Sequence, residues 1–162
     1  MSNLQHLFKL SQGSQIWNQW RRENPRVLPD FSGSNLTKAK LSGANLYRSD
    51  LSDVDFFGAV LISANLIKAN LKASNFSGAN FSRSNFSEAD LRKADFFRTD
   101  LSETSLYKAD LRGADFSGAN LFKANLRDAN LSKAIFSTST YFSEAQIQDL
   151  QQRGAVFTCS VS

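Results

Sequence analysis

Residues Leu71–Asn120 read LKASNFSGANFSRSNFSEADLRKADFFRTDLSETSLYKADLRGADFSGAN, and every fifth residue, starting with the first, is Leu or Phe. Followed outward, this phase holds without a break from Phe31 to Phe136, over 22 positions of which 14 are Leu and eight are Phe. Two residues before each of them, from Ser34 to Ala134, stands a small or β-branched residue: 14 Ala, four Ser, two Thr and Val54. The residue immediately before is Asp or Asn in 18 of the 22 cases, the exceptions being Lys40, Val60, Ser105 and Ile135. The repeating unit is A(D/N)(L/F)xx.

Neither ordinary element can bury a set spaced by five. Such residues lie about 140° apart around an α-helix and on opposite faces of a straight strand. For all of them to point inward, the chain must turn a corner in every repeat and wind around an axis, stacking one coil on the next. Asp and Asn are expected at those corners, because their short side chains hydrogen-bond nearby backbone. A second period sets the size of a coil: Phe56, Phe76, Phe96, Phe116 and Phe136 recur every 20 residues, which is four repeats. Four-sided coils would place these five rings in one structural column. Stacked at about 4.8 Å, the repeats make about five and a half coils, roughly 26 Å tall. The other sides carry mainly leucine ladders, for example Leu51, Leu71, Leu91, Leu111 and Leu131, which leaves no interior room for a ligand.

This pattern resembles the pentapeptide repeat family, with the motif covering residues 31–136. The resemblance implies a right-handed quadrilateral β-helix with the Ala-type position turned inward. The expected fold class is an all-β solenoid of about five to six coils with short α-helical caps at both ends. Its expected organisation is an N-terminal helical cap and linker over 1–30, the repeat β-helix over 31–141, and a C-terminal helical cap and tail over 142–162.

The flanks read as covers for coil ends that would otherwise expose unpaired backbone. Leu4, Leu7 and Phe8, then Ile16, Trp17 and Trp20, recur at helical spacing and predict one broken or two short helices around Gly13. Trp17 and Trp20 are expected to pack on the first coil, since large aromatics contribute buried area. Pro25 and Pro29 close this segment. After the repeats, Ser143 to Gln146 has capping-box spacing, Ile147 and Leu150 share a face, and Gly154 supplies a stop. The stretch WNQWRRENP, Trp17–Pro25, is similar to leaders of cyanobacterial pentapeptide repeat proteins. Two capped ends predict a monomer.

Catalytic and metal chemistry find little support. The one histidine, His6, has no acid, serine or cysteine at a catalytic spacing and reads as a helix-surface or cap residue. The recurring acids, such as Asp90 and Asp110, follow from the repeat. The one cysteine, Cys159, makes neither a disulfide framework nor a thiolate cage. We therefore expect no enzyme, no catalytic residues, no cofactor and no metal. The net charge of +4 on 162 residues announces neither a nucleic-acid arm nor a membrane patch. No run approaches the ~18 apolar residues of a membrane span, and the N-terminal residues lack signal-peptide organisation, so a cytoplasmic setting is expected.

What remains is the outer surface. Lys72, Arg92 and Arg112 are 20 residues apart, with Lys93 and Lys133 on the same side, forming a basic strip whose alternatives are an anionic docking site or a face neutralised by Asp90 and Asp110. Phe57 and Phe97 follow inward Phe residues and should point outward in one row, while Tyr47, Ile67 and Tyr107 share another. The candidate partner surface is thus Lys72, Arg92, Lys93, Arg112, Phe57, Phe97, Tyr47 and Tyr107. The expected function is a regulatory or adaptor module presenting a rigid face to a protein partner. The resemblance also implies an alternative, a DNA-mimicking protein that binds a type II topoisomerase such as gyrase. Such mimicry needs a dense acidic surface, whereas residues 31–136 carry 14 basic and 11 acidic side chains.

Overall fold

The computed structural model describes residues 3–137 and 142–158. The expected limit of the repeats at 141 and the tail bearing Cys159 lie outside the described residues. Along the repeats, the residue just before each inward Leu or Phe forms a parallel bridge with its counterpart 20 residues on, from Asp30↔Asp50 through Asn70↔Asp90 to Asp110↔Asn130. Within each return fall four turns closed by bonds such as Ala39 N–H to Leu36 O (3.0 Å), Ala44 N–H to Leu41 O (3.0 Å) and Ser49 N–H to Leu46 O (3.1 Å). Each 20-residue return is a coil. Three bonds per repeat tie it to its neighbour, as in Leu46 N–H to Asn65 O (2.8 Å), Asn65 N–H to Ala44 O (3.0 Å) and Arg48 N–H to Ile67 O (3.0 Å).

Corners this frequent leave little straight chain between them. Among the described residues, strand of more than one paired residue is confined to β1 (Asp115–Phe116), β2 (Ile135–Ser137) and β3 (Val156–Thr158), aligned in the parallel order β1-β2-β3. The rest of the ladder is single bridges.

The Asp and Asn residues do not form the corners. They sit on the flat sides as the bridging residues, and each reaches forward: Asn75 Oδ1 accepts the Ser77 N–H at 2.9 Å and Asp95 Oδ1 accepts the Phe97 N–H at 2.8 Å. Asn amides also tie coils together, with Asn70 Nδ2 donating to Asp50 Oδ1 (3.0 Å) and Asn75 Nδ2 to Asp55 Oδ1 (2.9 Å). The corners are the two variable residues. The second of them has positive φ in every repeat from Gly33 to Lys133, between +53° and +61° for the 15 that are not glycine. A positive φ at that place alone is the signature of a type II turn. No β-branched or aromatic residue occupies this position between residues 33 and 133, as expected where Cβ crowds the backbone.

Inside, the rings of Phe56, Phe76, Phe96, Phe116 and Phe136 stack at 5.4, 4.8, 4.7 and 4.9 Å. The later spacings match the ~4.8 Å step between paired strands. The column continues into Phe157, stacked on Phe136 at 5.5 Å. The small position faces inward too, and at Ser74, Ser84, Thr99 and Thr104 its hydroxyl serves the backbone. Ser74 Oγ donates to Leu51 O at 2.6 Å and accepts the Val54 N–H at 3.2 Å, bridging a turn of the preceding coil. Ser84 repeats this with Leu61 O and Ala64 N–H.

Helices α1 (Leu4–Ser11) and α2 (Ser14–Glu23) meet at Gly13, whose φ of +100° makes the break. Trp17 is buried and its indole N–H donates to Asn45 O at 2.8 Å; Trp20 is half-buried and stacks on Trp17 at 5.0 Å. Asn18 and Arg21 cap further groups of the first coil, at Gly43 O, Asn45 N–H and Tyr47 O. His6 departs from the surface reading: it is buried, its Nδ1 accepts the Asp30 N–H at 3.2 Å, and its ring packs against Trp20 and Phe31. The coil end needed an acceptor there, and a neutral imidazole supplies it. Burial holds the His6 pKa below its ordinary value, against the nearby negative charge of Asp30.

At the other end, α3 (Glu144–Gln152) starts with the expected capping box of Ser143 and Gln146. Leu150 is buried and Ile147 half-buried. Arg153 Nη2 donates to the last-coil carbonyls of Leu126 (2.6 Å) and Ala129 (2.9 Å). The segment after the helix is not simply a tail, because β3 pairs with β2 in the register Phe136↔Phe157.

Candidate interaction surface

Chemistry that distinguishes one part of this molecule from another lies on its outside. The first variable residue, where it is hydroxylic, leans back over the flat side that precedes its corner. Thr37 Oγ1 donates to Asp55 Oδ2 (3.2 Å) and Ser77 Oγ to Asp95 Oδ2 (3.1 Å), which shows the direction. In that row, alternating with Thr37, Ser77 and Ser117, stand Phe57 and Phe97, 49% and 44% exposed and 40 residues apart, which is two coils. At ~4.8 Å per coil they are about 10 Å apart. The row is not purely apolar: Asp55, Asp95 and Asp115 run beside it, and the Arg98 guanidinium lies 5.0 Å from the Phe97 ring centre.

The basic strip is largely neutralised. Arg92 engages Asp90 with two bonds, Nε to Oδ1 at 2.8 Å and Nη2 to Oδ2 at 2.6 Å, and Arg112 engages Asp110 with the same fork. Arg92 Nε also lies 3.8 Å from Asp110 Oδ2, joining the two pairs across the coil step. Bonding to Arg92 and to Arg112 holds the Asp90 and Asp110 carboxyls below their ordinary pKa. Lys72 and Lys93 are exposed in the same strip. Tyr47 and Tyr107 are half-buried, with Lys108 Nζ 5.1 Å from the Tyr107 ring centre.

The sequence reading missed Phe122, which is 50% exposed with Lys123 Nζ 5.2 Å from its ring. It follows inward Leu121, so the rule that turns Phe57 outward applies to it as well. Among the described residues no group of three or more His, Cys, Asp and Glu is placed to hold a metal ion. No helix among them is long and apolar enough to cross a membrane.

Coil-on-coil pairing every 20 residues, a packed Leu/Phe interior and side chains displayed in fixed rows define a repeat protein of the pentapeptide type. The chain belongs to the pentapeptide repeat family: the family model described as a pentapeptide repeat region matches residues 30–106, and the one described as pentapeptide repeats (8 copies) matches residues 99–137. Among solved structures it is similar to the pentapeptide repeat protein Rfr23 of the cyanobacterium Cyanothece 51142, with 21% identity, 74% of this chain and 97% of that chain covered, and a TM-score of 0.53. It is also similar to a trypsin-treated form of QnrB1, a plasmid-mediated fluoroquinolone resistance protein, with 18% identity, 80% and 81% covered, and a TM-score of 0.52. The pentapeptide repeat protein alr5209 of Nostoc is 28% identical, with 90% and 97% covered and a TM-score of 0.27. None of the curated proteins matches the chain.

Proposed function

We propose that this chain is a non-enzymatic interaction module, a regulatory or adaptor protein that offers one side of a right-handed quadrilateral β-helix to a protein partner. The observation that carries the reading is the pair Phe57 and Phe97. Two large apolar rings are held half in water on corners fixed by three inter-coil bonds per repeat. Covering them with a partner removes apolar area from water at about 25 cal/mol per Å², and the backbone that carries them is already ordered, so little entropy is lost. Because Arg92 and Arg112 already hold Asp90 and Asp110, the basic strip contributes Lys72 and Lys93 at the rim, where charge affects association rate more than affinity. Helices at both ends support a monomer.

The test is capture of proteins from the native lysate by the wild-type chain and by the Phe57→Ser/Phe97→Ser variant, with circular dichroism showing both folded. A specific protein retained by the first and lost by the second supports this face; equal retention by both removes it. The alternative, a gyrase-binding mimic of DNA, takes only its fold from the likeness to QnrB1. It is opposed by the 14 basic against 11 acidic side chains of residues 31–136. Supercoiling by gyrase left unchanged by excess protein eliminates it.

A further inference from the structure

Among the described residues, the N-terminal end of the stack is covered on only half of its perimeter. Asn3, His6, Asn18, Trp17 and Arg21 satisfy the first-coil groups at residues 30, 43, 45 and 47. Along residues 35–42 no described residue does. One coil up, the equivalent groups are all used: Asp55 N–H donates to Ser34 O, Asp55 O accepts from Leu36 N–H and Phe57 O from Lys38 N–H, with Val60 and Ile62 repeating the pattern. In the first coil the Asn35 and Lys40 N–H groups and the Asn35, Thr37, Lys40 and Ser42 carbonyls have no partner among the described residues. This is an open parallel edge that turns one corner.

Beside this edge runs a groove of about 530 Å³ between α1 and the first coil, with Leu7, Phe8, Leu10, Leu36, Ala39 and Leu41 among its lining. Leu36 and Ala39 remain partly exposed, whereas the equivalent positions in the coils above them are sealed: Phe56, Ala59, Phe76 and Ala79 are all buried. Phe8 is 66% exposed at the groove's rim. The charged side chain in the lining is Lys40, and Lys38 stands exposed on the corner beside it. The acid on that side, Asp55, is already engaged by the Thr37 hydroxyl, the Phe57 N–H and the Asn75 amide.

We infer that the open edge at residues 35–42 is a strand-addition site for a segment of a partner protein that is extended on either side of one bend, apolar at alternate positions within each arm and acidic at one end. The backbone of the segment occupies the place of a missing preceding coil, its apolar side chains fill the groove against Phe8, Leu36 and Ala39, and its acid meets Lys38 and Lys40. A second copy of this chain does not fit. Continuing the stack from β3 would leave three coil steps, about 14 Å, between residues 125–127 of one copy and residues 45–47 of the next. On the side holding residues 45–47 and 125–127, α2 caps one end and α3 with Arg153 the other. Two helices, each about 10 Å across, do not fit in that gap.

The experiment selects 12-residue peptides from a random displayed library against the full chain. The strongest binder is then synthesised and titrated against wild type, Lys40→Pro and Phe8→Asp. Lys40→Pro removes an N–H that no described group of the chain uses, and Phe8 is mostly exposed, so both variants should keep the wild-type melting curve. The expected binder is apolar with Asp or Glu, slows amide exchange at Asn35 and Lys40 at least tenfold, and loses at least tenfold in affinity with each variant. The inference is overturned by any of three results: no peptide is selected, binding is indifferent to both variants, or exchange slows elsewhere but not at Asn35 and Lys40. Concentration-dependent oligomers in sedimentation that Lys40→Pro abolishes would also overturn it, by giving the edge to a second copy.

Discussion

Phe96→Ala cuts the aromatic column at its middle. Phe96 is fully buried, with Phe76 stacked at 4.8 Å and 17° on one side and Phe116 at 4.7 Å and 5° on the other. Truncation gives up about 120 Å² of buried apolar area, about 3 kcal/mol at ~25 cal/mol per Å². The loss of two stacked neighbours adds roughly 0.5 kcal/mol each. The total of about 4 kcal/mol falls within the ~3–5 kcal/mol span for buried Phe→Ala. Interior collapse cannot relieve the cavity, because three inter-coil bonds per repeat fix the spacing above and below it. Urea titration followed by circular dichroism measures the loss, with Phe57→Ala as the exposed control, expected within about 0.5 kcal/mol. Since coils touch only their neighbours, the fluorescence of Trp17 and Trp20 separately follows the N-terminal end, and a fall in the urea slope would show the two halves of the stack uncoupling. A loss below about 1 kcal/mol would refute the packed column.

Four further outcomes are expected. At Ala73, with φ of +57°, Ala73→Val should cost about 1–2 kcal/mol while Ala73→Gly costs nothing or stabilises; equal melting temperatures for the two would contradict the turn geometry. Ser74→Ala should cost about 1–3 kcal/mol by orphaning the Val54 N–H, whereas Ser49→Ala, whose hydroxyl has no partner among the described residues, should be neutral or stabilising in the same denaturation assay. The Asp90 and Asp110 carboxyls have lowered folded pKa values, so their stabilisation is present above the unfolded value near 4 and lost as pH falls through the folded values; Arg92→Gln/Arg112→Gln should flatten the acid limb of stability against pH. His6 also has a lowered folded pKa, so stability should drop as pH falls below about 6.5 until the folded ring protonates, and a wild-type curve identical to that of His6→Asn would refute the buried neutral ring.

Much of the architecture was legible because a repeat states the same constraint many times. The five-residue period of Leu and Phe excluded helix and strand, and the 20-residue spacing of five Phe residues set the coil that the bridges then displayed. Phe57 and Phe97 were readable as outward from their position after an inward ring. The corner itself was not readable from residue type. Lys, Arg, Glu, Asp and Ser hold many of the positive-φ positions, and Gly holds only a minority. The available signal was the absence of β-branched residues there, which a reading centred on Asp and Asn overlooked. Strand β3 escaped because a helix interrupts the phase, so Phe157 pairs with Phe136 at a spacing of 21 rather than 20. His6 escaped because a single polar residue on an amphipathic helix carries no periodic signal of what it will meet.

The interior is written in the residue order: which side chains face the axis, how many repeats close a coil, and that the surface is arranged in rows. Those properties come from local sterics and apolar burial repeated in register, so spacing along the chain encodes them. What each end and each row offers was settled by the folded arrangement. Folding placed His6 under Asp30 and set α1 and α2 over one half of the first coil, leaving the edge at residues 35–42 without a partner among the described residues. Those outcomes depend on contacts between segments with no common period, and spacing does not carry them.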